Sequence, residues 1–304
     1  MTVDLRVNVA GVKLRNPTML AAGILGFTEG LILKVWEAGA GAVVSKSIGL
    51  KARAGYPNPT VVQVKCGIIN AVGLPNPGID EFRDVISHVR KAGAAIIVSV
   101  YGYSPSEFLK VSEIAEEAGA VAIELNVSCP HAKGTGSQIG QDPELLSEVV
   151  RTVKGGVNVP VIVKLTPNVT DIVNLAEKAV NAGADAITAI NTVRAIAINI
   201  EVGRPILANK VGGLSGPAIK PIALRCVYDL TRELSVPVIG CGGILDWRDA
   251  VEFLLAGASA IQVGSAILYK DLAVFSEINE GIASYLERKG FRRVEDIVGL
   301  SHRY

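Results

Sequence analysis

A chain of 304 residues, 49% hydrophobic but only 5% aromatic, has room for one large domain or two ordinary ones with an aliphatic, β-branched core. Its formal net charge of +1, without a basic run or an aromatic-studded patch, gives no support to nucleic-acid binding. Four cysteines (Cys66, Cys129, Cys226 and Cys241) show no CxxC or paired spacing, and with three scattered histidines they suggest neither a zinc site nor a disulfide framework.

The first residues, Met1 to Arg6, do not read as a signal peptide. Val3 to Leu14 alternates around a Gly turn and predicts a hairpin. A first strand follows Asn16-Pro17, at Thr18 to Ala22. From there an internal repeat sets the rhythm. Ala-Gly-Ala occurs at 38–40, 92–94, 118–120, 182–184 and 256–258, each time after a helix-like segment and before an apolar run. Gly closes a helix cheaply in the left-handed conformation, so the next strand can start at once. The strands so predicted are Ala42 to Lys46, Ala95 to Ser99, Val121 to Asn126, Ala186 to Ile190 and Ala260 to Val263; two more, Val161 to Leu165 and Val238 to Cys241, follow Val-Pro.

Between them lie helical patterns at 106–118, from Asp142-Pro143 onward, and at 171–182, 217–234, 246–256 and 272–289. Strand and helix alternating eight times predict a single (β/α)8 TIM barrel over residues 1–304, with an N-terminal β-hairpin and insertions at the C-terminal face of the strands. A doubly wound open sheet is the alternative, but no glycine fingerprint follows the first strand. Residues 48–78 and 193–216 fall outside the repeat; an excursion as long as the first is usually functional or has structure of its own. The longest uncharged run, Phe253 to Tyr269, holds two Gly, two Ser and Gln262 and reads as helix end, turn and strand rather than a membrane span. A cytoplasmic protein with reduced thiols is expected.

In such barrels the active site lies where strands end. The fourth strand ends in Asn126, Ser128, Cys129, His131 and Lys133, with Pro130 blocking continuation of the ladder and Gly134 and Gly136 allowing tight turns. Alone, Cys129 reads as a buried structural thiol. The other ends change that reading: Ala21-Ala22-Gly23, Ser45-Lys46-Ser47, Ser99 to Gly102, Lys164, Asn191-Thr192, Gly242-Gly243 and Gly264-Ser265 would share one rim. Glycines after the seventh and eighth strands suit a phosphate, and inward lysines suit charge developing on a ligand. Gly134 to Gly140 looks like a dinucleotide loop only superficially, because its spacing is wrong.

Six motifs, in order along nearly the whole chain, resemble class 1 dihydroorotate dehydrogenase: Asn70-Ala-Val-Gly-Leu-Pro-Asn76, Asn126-Val-Ser-Cys-Pro130, Lys164-Leu-Thr-Pro-Asn168, Ile190-Asn-Thr192, Gly212-Gly-Leu-Ser-Gly-Pro217 and Gly240-Cys-Gly-Gly243. Cysteine at the base position is similar to class 1 rather than to class 2, which uses serine. Gly140-Gln-Asp-Pro143 and the run Lys164 to Asp171 look most like the class 1B catalytic (FMN) subunit.

The resemblance implies oxidation of (S)-dihydroorotate to orotate in de novo pyrimidine (UMP) biosynthesis. FMN would lie at the barrel mouth, its phosphate near Gly216, Gly242, Gly243, Gly264 and Ser265. Ala22, Lys46, Ser47, Ser99, Asn126, Lys164 and Ile190 match the family's other FMN positions. Lys164 would stabilise the reduced, anionic flavin. Substrate would meet Lys46, the loop Asn70, Ala71, Val72, Gly73 and Leu74, then Asn126, Asn191 and Thr192. Cys129 would take the C5 proton while hydride moves from C6 to the flavin. Residues 66–78 and 130–140 are expected to close over the substrate. No metal is implied.

The chain departs from the family at Ser99 and at His131, where Asn is frequent. The class 1B likeness implies a partner subunit carrying FAD and a 2Fe–2S cluster that passes electrons to NAD, around a homodimer core or in a heterotetramer. A class 1A-like enzyme using fumarate and a related flavin-dependent pyrimidine reductase are the alternatives, with a non-catalytic flavin barrel behind them. Neither nucleic acid nor membrane is expected as a partner.

Overall fold

The computed structural model describes residues 3–127 and 139–303. Cys129, and with it the expected base, lies outside the described residues, as does His131. Eight strands close a barrel: β1 Thr18–Leu20, β2 Ala42–Val44, β3 Ile96–Val100, β4 Ala122–Asn126, β5 Val161–Leu165, β6 Ala186–Ala189, β7 Val238–Cys241 and β8 Ala260–Val263. Each pairs in parallel with its neighbours in sequence order, and β8 pairs with β1. The expected (β/α)8 barrel is the observed one, and all eight strands fall where the sequence puts them. The predicted hairpin is present as Val7–Val9 paired with Val12–Leu14.

The repeat has the structural basis expected. Gly39, Gly93, Gly119, Gly183 and Gly257 all have positive φ, from 84° to 109°. The following Ala in each case bonds five residues back, as from Ala40 N to Val35 O and from Ala258 N to Phe253 O. The Gly bonds three back, as from Gly39 N to Trp36 O and from Gly257 N to Leu254 O. This is the paired-bond closure of a helix C-terminus, used five times.

Helix starts are as local. Asp142 caps Pro143–Gly156, Asp171 caps Ile172–Asn181, and Asp246 caps Trp247–Leu255 in a box with Asp249. The strands are buried on both faces and therefore read as apolar runs, Val161-Ile-Val or Ala42-Val-Val.

The two insertions find each other. Val61–Val64 and Gly67–Asn70 from the first join Val193–Ile196 and Val211–Ser215 from the second in a four-stranded antiparallel sheet. This sheet stands over one side of the barrel mouth. It also fixes the segment expected to close as a lid at 66–78. Gly67–Asn70 is an inner strand there. Beyond it Tyr56 N bonds Val72 O at 3.0 Å, Arg53 and Asn76 exchange backbone bonds of 2.8 and 2.9 Å, and Arg53 Nε donates to Gly73 O at 2.7 Å. The segment is a wall held from both sides rather than a free flap. Most of the other expected lid, residues 130–138, lies outside the described residues.

Candidate active site

The strand ends, the loops after them and the inner edge of the added sheet enclose a cavity of about 460 Å³. That is within the size range of cofactor and small-ligand sites. Its floor comes from β5, β7 and β8 through Lys164, Cys241 and Gln262.

Asn126, at the end of β4, presents its amide to the loop after β2. Its Nδ2 donates to Ser47 Oγ at 2.9 Å, and Asn191 Nδ2 reaches Asn126 Oδ1 at 3.5 Å. Asn191 is held in turn, because its Oδ1 accepts from Thr192 N at 2.8 Å. Lys46, from the loop after β2, lies beside Phe27, its ammonium 5.6 Å from the ring centroid. Burial pushes the Lys46 ammonium below its usual value of 10.5.

Beneath these lies a polar cluster inside the barrel. Lys164 is 5% exposed and Glu124 is fully buried. Lys164 Nζ donates to Gln262 Oε1 at 2.7 Å and stands 3.7 Å from Glu124 Oε1, an ion-pair distance too long for a hydrogen bond. Gln262 Nε2 donates to Glu124 Oε2 at 2.5 Å, and Thr188 Oγ1 donates to the same oxygen at 3.0 Å. Burial works to lower the Lys164 value, but Cys241 and Glu124 outweigh it, and the net direction is up. Cys241 is itself pushed up, first by burial and then by Glu124, against the opposing pull of Lys164. The thiol is therefore neutral near neutral pH, and Glu124 stands beside Lys164 as its ion-pair partner.

On the β7–β8 side the wall is backbone. Gly216, Gly242 and Gly243 have φ of 103°, 134° and 74°, and all three line the cavity with Gly264 and Ser265. A Cβ on Gly243 would come within 2.7 Å of Lys220 Cβ and 2.8 Å of Gly216 O. Gly216 also precedes the turn Pro217–Ile219 and the helix Lys220–Glu233, whose first residues carry no side-chain cap. Close backbone at a helix start next to the last two strands is the chemistry of a phosphate cradle.

Of the residues singled out from sequence, Ala22, Lys46, Ser47, Asn70, Ala71, Val72, Gly73, Leu74, Asn126, Lys164, Ile190, Asn191, Thr192, Gly216, Gly242, Gly243, Gly264 and Ser265 line this one cavity. Ser99 stands apart. It is fully buried, does not line the cavity, and lies 2.9 Å from Ser47 Oγ, so it reaches the site only through Ser47. Among the residues that sequence reasoning missed are Glu124, Gln262 and Arg53. For the first two a signal existed, since a carboxylate and an amide inside otherwise apolar barrel strands need buried partners. Arg53 gave no local signal.

The family model described as Dihydroorotate dehydrogenase matches residues 4–286. The chain is 52% identical over 301 residues to "Dihydroorotate dehydrogenase B (NAD(+)), catalytic subunit" of Pyrococcus furiosus, covering 99% of this chain and all of that one. It is 53% identical to the protein of the same name from Thermococcus kodakarensis, covering 99% of each, and 51% identical to that from Methanocella arvoryzae, covering 97% of each. The crystal structure of DHODH from Eimeria tenella in complex with ferulenol superposes with a TM-score of 0.87 at 23% identity, over 99% of this chain and 89% of that one, which speaks for the fold.

Proposed function

The chain belongs to the dihydroorotate dehydrogenase family, and from that premise we propose how its cavity oxidises dihydroorotate to orotate, a step of pyrimidine biosynthesis. FMN is the cofactor of this reading, and when bound it supplies the two-electron acceptor. The residues present fit it. Gly216, Gly242, Gly243, Gly264 and Ser265 offer close backbone for a phosphate, and Lys164 supplies a buried positive charge at the floor. Ala22, Ser47, Asn126 and Ile190 complete that side.

Substrate meets the opposite side. Dihydroorotate carries one carboxylate and several ring carbonyls and N–H groups. Lys46 answers the negative charge; Asn70, Asn126, Asn191 and Thr192 answer the amide edges, and the pinned wall from Ala71 to Leu74 shields the face from water. On the sequence motif, Cys129 takes the C5 proton. Lys164 holds its proton throughout and acts as a fixed charge.

The observation that carries this reading is the convergence of residues from all six motifs, scattered along the chain from Asn70 to Gly243, around a single cavity. The relatives' name, a catalytic subunit of an NAD(+) enzyme, favours onward transfer to NAD through a partner subunit over direct use of fumarate; in this reading the partner bears FAD and 2Fe–2S. A cytoplasmic setting belongs to the same reading; no helix among the described residues is long and apolar enough to cross a membrane. The test is anaerobic: dihydroorotate added to the FMN-loaded chain is expected to bleach the flavin. Bleaching by another pyrimidine but not by dihydroorotate defeats the substrate assignment. Rapid reoxidation by fumarate, without a partner, defeats the NAD route.

A further inference from the structure

Glu124 is a buried carboxylate for which the proposed chemistry has no use. It sits on β4 two residues before Asn126, so both side chains share the inner face of the barrel, the carboxylate one layer deeper. Its Oε2 accepts from Gln262 at 2.5 Å and from Thr188 at 3.0 Å, while Oε1 accepts no hydrogen bond and stands 3.7 Å from Lys164 Nζ. Gln262 is oriented by this arrangement. With its Nε2 donating to Glu124, its Oε1 must turn to Lys164, which it meets at 2.7 Å. A fully buried acid is costly without compensation, and here the compensation is a cation at the floor of the cavity.

We propose that Glu124 is a positioning residue that fixes the charge and aim of Lys164 at the cavity floor, with Gln262 as the spacer that keeps the two apart. Direct contact would close the pair on itself. The interposed amide instead holds the ammonium toward the cavity, which Lys164 and Gln262 line and Glu124 does not. Among the described residues, the groups facing the ammonium include Glu124 from β4, Cys241 from β7 and Gln262 from β8, with Thr188 of β6 behind Glu124. Among the described residues, Lys46 is the other cation lining the cavity. Cys241 is pushed toward the neutral thiol, which leaves Glu124 as the negative group of this set. Remove that charge, and Cys241 is the one group of this set left to oppose the burial of Lys164.

That Lys164 serves a bound flavin rests on the functional reading above; that Glu124 governs Lys164 does not, and the experiment separates the two. The full-length chain, purified with FMN and labelled with carbon-13 at lysine Cε, is titrated by NMR, the Lys164 signal being identified by its loss in Lys164→Arg. In the wild type Lys164 is expected to stay protonated past the usual 10.5. In Glu124→Gln, which keeps the shape and removes the charge, its midpoint is expected at least about one pH unit lower. The reduction potential of bound FMN should acquire a break at that same lower pH.

Thr188→Val removes a hydrogen bond to Glu124 without touching a charge and should leave the Lys164 midpoint in place. Should Glu124→Gln not fold, Glu124→Asp draws the carboxylate back by one carbon and should move the midpoint down by less. An unchanged Lys164 midpoint in the Glu124 variants overturns the proposal, as does an equal shift in Thr188→Val. A shifted midpoint without a break in the potential leaves Glu124 governing Lys164 and refutes the flavin reading of that lysine instead.

Discussion

Ser47 Oγ stands 2.9 Å from Ser99 Oγ while accepting the amide of Asn126 at 2.9 Å. Ser99 therefore bears on the cavity through another hydroxyl. Ser99→Ala is expected to weaken FMN by about fivefold, the worth of one hydrogen bond of roughly 1 kcal/mol, and Ser47→Ala by more. Fluorescence titration with FMN reads both. A larger loss in Ser99→Ala than in Ser47→Ala would mean that Ser99 touches the ligand itself.

Replacing Lys164 is expected to do two things rather than one. Sequence reasoning alone predicts that Lys164→Ala leaves the fold intact but slows flavin reduction or weakens FMN binding, at a cost of about 2.7–4 kcal/mol. The 3.7 Å approach of Glu124 adds a stability cost, because removing one member of a buried pair leaves the other uncompensated, typically at about 3–5 kcal/mol. Denaturant unfolding of Lys164→Ala beside Glu124→Gln/Lys164→Ala measures it: the double variant should recover part of the loss. Equal stability of Lys164→Ala and wild type would show that the pair carries no such cost.

Lys46 gives a pH dependence with a definite sign. Burial depresses its value below 10.5, so the folded protein releases this proton before the unfolded chain does. Between the two values the unfolded state holds more protons, and the Lys46 contribution to stability rises with pH in that window. Binding of the orotate anion runs the other way, since the positive charge is being lost. Orotate affinity should fall on the alkaline side before pH 10.5, and Lys46→Arg should hold it to higher pH. Identical alkaline limbs for both proteins would remove Lys46 from the contact.

Two glycines separate strain from access. Gly264→Ala finds only Ala21 Cβ at 3.5 Å, an ordinary contact, so its melting temperature should hardly move while its flavin content falls. Gly243→Ala meets φ of 74° and Lys220 Cβ at 2.7 Å and should lose more than about 1 kcal/mol of stability as well as flavin. Full flavin content in Gly264→Ala would place the phosphate elsewhere.

The base is tested through its ionisation. A free thiol titrates near ~8.5, and a lysine beside a thiol lowers that value, so flavin reduction should rise with pH to a plateau. Cys129→Ser should bind FMN and orotate nearly as the wild type does but reduce flavin far more slowly, its profile displaced to higher pH. Cys226 and Cys241 are buried and pushed up, while Cys66 is exposed, so alkylation at Cys66 is the background to subtract. Wild-type reduction rates in Cys129→Ser at neutral pH would put the base elsewhere.

What the sequence determined by itself is what depends on neighbours along the chain. The Ala-Gly-Ala closures, the caps at Asp142, Asp171 and Asp246, and the apolar runs fix each helix and strand within a few residues, and their alternation sets the barrel. Because a barrel brings all strand ends to one rim, Lys46, Asn126, Lys164, Asn191 and Gly242 could be placed together without coordinates. Tertiary structure alone decided the rest, where the partners are distant in sequence. The two insertions do not show in the sequence as one sheet because Gly67–Asn70, paired locally with Val61–Val64, takes its other ladder from Val211–Ser215, some 140 residues away. Ser99 reads as a rim residue because a strand end says nothing of depth; only the hydroxyl of Ser47 in front of it shows that it lies behind. Glu124 and Gln262, on opposite strands 138 residues apart, become a single unit only when the barrel closes and neither can reach water.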